Sequence, residues 1–545
     1  MNKNRVSFCA MGGLGEIGLN CYLYNIFDDN NSEYFMVDLG MGFKDHHLSS
    51  IDIFYPDISG LEQYKKNIKG LLITHGHEDH IGAIPHVWQY LQCPIYATAF
   101  TADLIREKLK EYKLDSKIKI VVVQPDKFYS IGKGEFKWIQ VDHSIPDCHL
   151  IYMKTPLGNL VHSGDFKINF SNKPLLKNLS SLKKENIEYL FCDSTNVLEE
   201  GISGEEILIK KDLKMLISKA QGVCWITAFS SNVERLSLIS GIAKELKKKI
   251  VLFGRSLSTY GKLGIKYNYL DSDAFISEED SKHFNRKDLI FMVTGSQGEE
   301  RSVLSSVLIM GSHRQKMAEN DCVIFASRVI PGNENKVIRL YNLLALNGID
   351  FYTAEKYKIH VSGHPKREEL KEFYKMINPQ CIIPMHGEAM HLREHSEFVM
   401  GLGYKSLTYL NGDVVELFTE EEGIIGEWQT GKLVQDGGRL INFNENFLKA
   451  RSKMFYEGSV FITMILKQAS ITNLKTSSLG LFTEEEEEVY NQELAGKIIK
   501  TIEGDTTSLT KAIDQLSEDV RITARRYFRD KFNKKPIVKV HLIKS

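Results

Sequence analysis

The stretch Ile73-Thr74-His75-Gly76-His77-Glu78-Asp79-His80 sets three histidines and an aspartate within six residues, directly behind an apolar run at 70–74. A neutral imidazole offers one lone pair to a divalent cation, and a carboxylate adds negative charge. Gly76 permits the sharp turn that lets His75 and His77 converge on one ion. Asp79 and His80 fall further round the turn and can reach a second. Two later segments add to this set. Val141-Asp142-His143-Ser144-Ile145-Pro146-Asp147 puts a histidine at the end of a predicted strand, and Val161-His162-Ser163-Gly164-Asp165-Phe166 puts an aspartate in the same kind of place. His143 and Asp165 thus supply a third ligand for one metal and a bridging carboxylate. The second metal needs a later histidine, and His386, behind the apolar run 381–383, supplies it.

Around these segments the chain changes rhythm twice. Apolar runs at 34–38, 70–74, 118–123, 136–141, 150–154, 159–162 and 188–193 alternate with Gly-rich turns and predict strands, with helices at 81–91 and 102–112. Beyond 205, strands at 223–228, 249–253, 289–293 and 322–325 alternate with long helical stretches, the pattern of a parallel sheet wrapped by helices. The first rhythm returns at 357, so an α/β unit at 206–356 is inserted into a domain made of 1–205 and 357–442. Residues 443–456 read as a linker into a C-terminal domain, 457–545. That domain has a strand at 458–466, a helix capped by Thr483 with Glu486 three residues on, a helix at 507–532 and a strand at 537–543. The glutamates 484–488 read as a solvated helix start.

Composition bounds the function. The 545 residues are 43% hydrophobic and 26% charged, with 69 Lys+Arg against 70 Asp+Glu. This is the balance of an ordinary globular chain, and any nucleic-acid site must be a local patch. The 8 cysteines are scattered without a CxxC, which argues against a disulfide framework and for a reducing compartment. No apolar run is long enough for a membrane span, and the first residues do not resemble a secretory signal. The expected location is the cytoplasm, with no membrane partner.

The spacing HxHxDH resembles the metallo-β-lactamase superfamily. MGGLGEIGLN (11–20), CDSTN (192–196), TAFSSN (227–232), FGRS (253–256), TGSQGE (294–299), SRVIPGNE (327–334), HVSGHPKREEL (360–370) and PMHGEAMHL (384–392) narrow the resemblance to the bacterial ribonuclease J branch of the β-CASP nucleases. The resemblance implies an αββα metallo-β-lactamase sandwich with an inserted β-CASP domain and a small α/β C-terminal domain. It implies two Zn²⁺ or Mn²⁺ ions, the first held by His75, His77 and His143, the second by Asp79, His80 and His386, with Asp165 bridging. His364 is then the candidate to protonate the leaving oxygen, and Asp193 to orient a metal-binding histidine. RNA contacts fall on His360, Val361, Ser362, Gly363 and His364, and on Ser231, Asn232 and Val233.

The implied chemistry is hydrolysis of single-stranded RNA by 5′→3′ exonuclease and endonuclease cutting. It leaves 5′-phosphate products and serves rRNA processing and mRNA decay. The implied partners are 5′-monophosphorylated RNA, further copies of the chain as a homodimer or homotetramer, and an RNA-degradation complex. Asp52 and Asp57 fall where some relatives hold a structural calcium. Asp38 reads as support behind the metal ligands, and His46, His47, His86, His149 and His162 read as surface residues. Gly295-Ser296-Gln297-Gly298 fits a phosphate cradle and a plain turn equally well. The basic stretch from Arg521 to Lys535 reads as a solvated helix face. A small-substrate hydrolase of the same superfamily would lack the insertion, and a binding subunit with a dead site would have lost several ligands.

Overall fold

The computed structural model describes residues 4–28, 31–43, 53–310, 315–420, 423–443, 446–467, 470–503 and 513–544. At the N-terminus, strands Arg5–Gly12, Cys21–Asp28 and Asn31–Val37 pair as an antiparallel meander. Asn31–Val37 then pairs in parallel with Ile68–Leu72, whose end launches the histidine loop. These strands belong to an eight-stranded sheet that also takes in Asp413–Leu417 from the returning chain.

A seven-stranded sheet faces it. Its strands Gly134–Gln140, His149–Lys154, Asn159–His162 and Ile187–Asp193 are followed in space by Cys381–Met385. The parallel register of that last pair sets Asp193 beside Met385, one residue before His386. Phe8, Tyr22, Phe35 and Leu72 from one sheet pack against Trp138, Ile151, Phe191 and Ile383 from the other. Helices Lys173–Ser181, Arg367–Ile377 and Ala389–Gly401 cover the outer face of the second sheet through Leu179, Phe373 and Val399. The fold is thus the metallo-β-lactamase sandwich, completed only after the insertion by the returning chain.

The inserted domain holds a five-stranded parallel sheet in the order Lys249–Phe253, Leu289–Val293, Cys224–Thr227, Cys322–Phe325, Asp350–Tyr352. In such sheets ligands meet the carboxyl ends of the strands. Helix Val233–Glu245 starts at that end, capped by Asn232, whose Oδ1 accepts from the Arg235 N–H at 2.8 Å. Arg235 is fully buried, and its guanidinium meets Glu206 at 2.6 and 2.8 Å and donates to the carbonyls of Ala326 and Ile359. One side chain thereby ties the chain entering the insertion to the chain leaving it. Losing either partner would strand a buried charge, at a cost of about 3–5 kcal/mol.

A second compact unit, formed by the described residues from 436 onward, has its own core. Strands Ser470–Leu479, Ser459–Lys467 and Ile537–Lys544 form one sheet. Helices Glu484–Glu503 and Ile513–Phe532 bury Leu494, Ile498, Val520 and Phe528 with Val460, Ile462 and Met464 of the central strand. Thr483 and Glu486 form the expected start, with Thr483 Oγ1 3.1 Å from the Glu486 carboxylate. Arg521, Arg529 and Lys531 pair with Glu518, Asp530 and Glu493, as a solvated helix face does.

Several elements differ from the sequence reading. Residues 443–456, expected as a linker, are mostly helical, since helix Asn446–Glu457 occupies most of them. The segment has good helix formers and no Gly or Pro until Gly458, which ends it at φ +72. The single helix expected at 81–91 is broken into Glu78–Ile81, Ile84–Val87 and a 3-10 turn, Trp88–Tyr90. Pro85 lacks an N–H and starts a new helix. The helix expected at 102–112 begins earlier, as Ala99–Glu111, because the Asp147 carboxylate accepts the Phe100 N–H at 2.9 Å. Residues 507–512, His46, His47 and Asp52 lie outside the described residues.

Candidate metal centre

The site grows from strand ends. Ile68–Leu72 delivers His75 and His77, and the short helix Glu78–Ile81 carries Asp79 and His80. Gly40 makes the approach feasible, since a Cβ there would lie 1.6 Å from the Asp79 carbonyl oxygen. His143 follows Gly134–Gln140, Asp165 follows Asn159–His162, and His386 follows Cys381–Met385 with a left-handed φ of 51°. Such a backbone conformation in a non-glycine residue is costly and concentrates at functional positions.

The ligand atoms of His75, His77, His143 and Asp165 lie within 4.8 Å of one another, and so do those of Asp79, His80, Asp165 and His386. Asp165 belongs to both groups. His77 Nδ1 stands 3.1 Å from both His75 Nε2 and His143 Nε2. Ligands about 2.0–2.1 Å from a tetrahedral ion stand roughly 3.3 Å apart, so this crowding suits a shared cation. His80 Nε2 is 3.3 Å from Asp165 Oδ2 and 3.6 Å from Asp79 Oδ2, and His386 Nδ1 is 2.8 Å from Asp165 Oδ1. Asp165 Oδ1 and His386 Nε2 are buried, and the only groups in reach of them among the described residues are other ligand-type atoms, His386 Nδ1 for the one and Asp79 Oδ2, at 3.4 Å, for the other. Buried imidazole and carboxylate donors that face only one another and converge on one place fit a metal ion.

Three of the histidines are oriented from behind, which fixes their tautomers. His80 Nδ1 meets Asp38 Oδ2 at 2.7 Å, and Asp38 is itself held by the Thr74 N–H and hydroxyl at 2.9 and 2.8 Å. His143 Nδ1 donates to the Gly363 carbonyl at 2.6 Å, and His75 Nδ1 is 3.0 Å from the Thr74 hydroxyl. Gly363 must be glycine, because a Cβ there would lie 2.7 Å from the His143 ring.

The two groups differ in protonation. Burial drives His75 and His143 well below the usual imidazole value, and His77 down to about 4. These three present lone pairs at neutral pH. Burial also pulls on His386, but the Asp165 and Asp79 carboxylates outweigh it and hold it at about 10, and His80 is raised in the same way by Asp165, Asp79 and Asp38. A cation bound there displaces protons, so the carboxylate-rich group binds more tightly as pH rises.

His364 and Asp193 form a third such group with Asp165 and His386, their donor atoms also within 4.8 Å of one another. His364 Nδ1 is 2.8 Å from Asp193 Oδ2, and its Nε2 faces the centre, 3.9 Å from Asp165 Oδ2. Burial lowers its pKa, and the Asp193 and Asp165 carboxylates more than reverse this. Asp193 holds His364 directly, whereas the metal-type histidine nearest to it, His386, is 3.8 Å away. Its orienting action therefore falls first on His364.

The expected RNA segments divide. Ser362 Oγ accepts from Asn196 Nδ2 at 2.7 Å and from the His364 N–H at 3.2 Å, so it braces the loop that presents His364. Val361 is buried, and His360 is kept neutral by burial and by Arg235 and Arg328, which push it down to about 3. His360 Nδ1 has no partner among the described residues. Val233 does not reach outward: its side chain is in the core and its N–H meets the Ser231 carbonyl at 2.8 Å. Ser231 and Asn232 remain at the helix start. Gln297 bonds the Arg328 carbonyl and the Ile330 N–H, so 295–298 is a packed turn.

Other histidines are corrected as well. His149 and His162 are buried, not on the surface, with His162 Nδ1 2.9 Å from the Tyr24 hydroxyl. His86 is half-buried and stacks on Tyr55 with ring centroids 4.1 Å apart. Asp57 accepts from the Ser59 hydroxyl at 2.7 Å. The sequence reading missed Asn20, whose amide lies 3.0 Å from His80 Nε2, and Tyr260, whose hydroxyl donates to the Gly76 carbonyl at 3.3 Å. Their signal was position alone: Asn20 closes MGGLGEIGLN, and Tyr260 lies four residues past FGRS.

Comparison with known proteins agrees with this architecture. Residues 14–189 match the metallo-beta-lactamase superfamily and 221–344 the ribonuclease J beta-CASP domain. Residues 353–407 match the Zn-dependent metallo-hydrolase RNA specificity domain and 446–545 the ribonuclease J C-terminal domain. The chain is 32% identical over 546 residues to ribonuclease J of Sinorhizobium meliloti, covering 98% of this chain and 97% of that one. It is 31% identical to ribonuclease J of Helicobacter pylori strain 26695, covering 99% and 80%, and 28% identical to ribonuclease J2 of Bacillus subtilis, covering 98% of each. A crystal structure of a protein of unknown function from Enterococcus faecalis V583 superposes with a TM-score of 0.53 at 14% identity, over 76% of this chain and 100% of that one. That likeness concerns the fold alone.

Proposed function

Because the chain belongs to the ribonuclease J family and is a metal-dependent ribonuclease, we propose that it holds two divalent cations, zinc or manganese, and degrades single-stranded RNA from the 5′ end as well as internally. The observation that carries this reading is the pair of ligand groups sharing Asp165, with His364 fixed beside them by Asp193. When bound, a pair of divalent cations activates a water and neutralises the phosphoryl oxygens. The residues do the rest. Asp38, Thr74 and the Gly363 carbonyl hold the imidazoles with their lone pairs inward. His364, oriented at Nδ1 by Asp193, presents Nε2 to the leaving 3′-oxygen and donates a proton there. Ser231 and Asn232, at the start of Val233–Glu245, receive the 5′-terminal phosphate, and the products carry 5′-phosphates. In the cell this activity serves rRNA processing and mRNA decay in the cytoplasm, where a degradation complex would supply substrates. Asp57 remains a candidate ligand for structural calcium.

Elemental analysis after loading should find two ions per chain, and the loaded protein should degrade a 5′-monophosphorylated oligoribonucleotide. A protein saturated at one ion yet fully active would overturn the two-ion reading. The second compact unit carries no member of the ligand set, which ends at His386. We assign it to assembly as a homodimer or homotetramer. A chain ending at residue 435 should then fall to a lower oligomeric state in light scattering while still binding both ions. An unchanged mass per particle would remove that assignment.

A further inference from the structure

The inserted domain reaches back to all three loops that hold the first ligand group. Tyr260, on helix Arg255–Lys266, is buried and donates its hydroxyl hydrogen to the carbonyl of Gly76, the residue between His75 and His77. The Glu234 N–H donates to the carbonyl of Ser144, next to His143, at 3.3 Å. The Glu234 carboxylate meets Lys167 Nζ at 2.6 Å, and Lys167 lies two residues past Asp165 with its side chain only 3% exposed. Lys167 also donates its backbone N–H to the Asp142 carbonyl at 2.7 Å, so the loops of His143 and Asp165 are fastened to each other at the point where Glu234 attaches. The loop of Asp79 and His80 is held otherwise, by backbone bonds to Asn20, Leu39 and Met41. Apart from the loop of the shared Asp165, the coupling to the insertion therefore runs to the first group.

We propose that Tyr260 and Glu234 are positioning residues for the first metal, so that the docked inserted domain is part of what sets the affinity of the His75–His77–His143 group. The proposal rests on the two-ion reading above. Outer partners that orient metal ligands change metal affinity by roughly 10–100-fold when lost. Here the partners act one step further out, through the loop backbones. Glu234 also sits two residues past Asn232, on the first turn of the helix assigned to the RNA 5′ end. Occupation of that helix start and occupation of the first metal position are then linked, and linkage is reciprocal.

The test uses the full chain in two backgrounds. His386→Ala disables the second ligand group and His77→Ala the first. In each, the remaining ion is titrated with Zn²⁺ against a chromophoric chelator, with and without the pair Tyr260→Phe and Glu234→Gln. Both substitutions keep shape and remove only the hydrogen-bonding hydroxyl or the charge. In the His386→Ala background the pair should weaken Zn²⁺ binding about tenfold. In the His77→Ala background it should leave binding within about twofold. Equal weakening in both backgrounds would mean a general loss of structure and would overturn the proposal, as would no weakening in either. If neither background binds Zn²⁺ before the pair is introduced, the two-ion reading fails instead, and the proposal falls with it.

Discussion

Replacing His77 by alanine should lower RNA cleavage by roughly 10³-fold or more, the loss of about 4 kcal/mol of transition-state stabilisation. His77 Nδ1 stands at the centre of its group, 3.1 Å from the facing nitrogens of His75 and His143, so its removal opens the coordination sphere on one side. The fold should persist. The ring lies at a loop end, as the N-cap of a four-residue helix, and accepts no hydrogen bond that closes the cap. RNA binding should stay within a few-fold, because the phosphate contacts assigned to Ser231, Asn232 and the 360–364 loop lie on other elements. Single-turnover cleavage and fluorescence anisotropy on the same oligomer separate the two effects. His86→Ala is the matched control: that ring stacks on Tyr55, outside both ligand groups, and its loss should leave cleavage nearly unchanged. A His77 variant that cuts at near wild-type rate would place the nuclease centre elsewhere.

The ligand set was legible because its chemistry is dense in sequence. Four donors in six residues behind a strand have few other uses, and every later ligand also closes a predicted strand. The sandwich was legible from strand rhythm, and the insertion from the change and return of that rhythm. What escaped was set by tertiary contact. His149 and His162 look like solvent histidines in sequence, but their strands lie inside the second sheet, where period alone does not tell face from face. Val233 follows Ser231 and Asn232 in one motif, yet it is the first residue of the helix that they precede, and its side chain turns into the core. Tyr260 carries no signal beyond its place after FGRS, since its partner is 184 residues away in the chain. The helix at 446–457 was masked by its position between two domains, although its composition favoured a helix throughout.

The 5′ end gives the second large effect. An exonuclease that removes one nucleotide at a time must hold the terminus at a fixed distance from its metals. The start of Val233–Glu245 is suited to this through its dipole and through the Ser231 and Asn232 side chains, since the N–H groups of Val233, Glu234 and Arg235 are already bonded to Ser231, Ser144 and Asn232. A triphosphate adds two bulky charged groups that a pocket closed around one phosphate rejects by sterics and by unpaired buried charge. Digestion of 5′-monophosphate RNA should therefore be processive, while matched 5′-triphosphate RNA should be cut slowly and internally, with a difference on the order of 10²-fold. Asn232 is the residue to change, and its structure dictates how. Its Oδ1 already caps the helix through the Arg235 N–H at 2.8 Å, directly above the buried Arg235–Glu206 pair. Alanine would remove cap and ligand donor together, costing about 1 kcal/mol of stability besides any effect on RNA. Asn232→Asp keeps the capping oxygen and replaces the Nδ2 donor with a charge that repels phosphate. It should keep the melting temperature, reduce the monophosphate preference at least tenfold, and spare internal cutting, a factor of ten being about 1.4 kcal/mol. Equal exonuclease rates on the two ends, or an unchanged preference in the aspartate variant, would rule out this helix start as the sensor of the 5′ terminus.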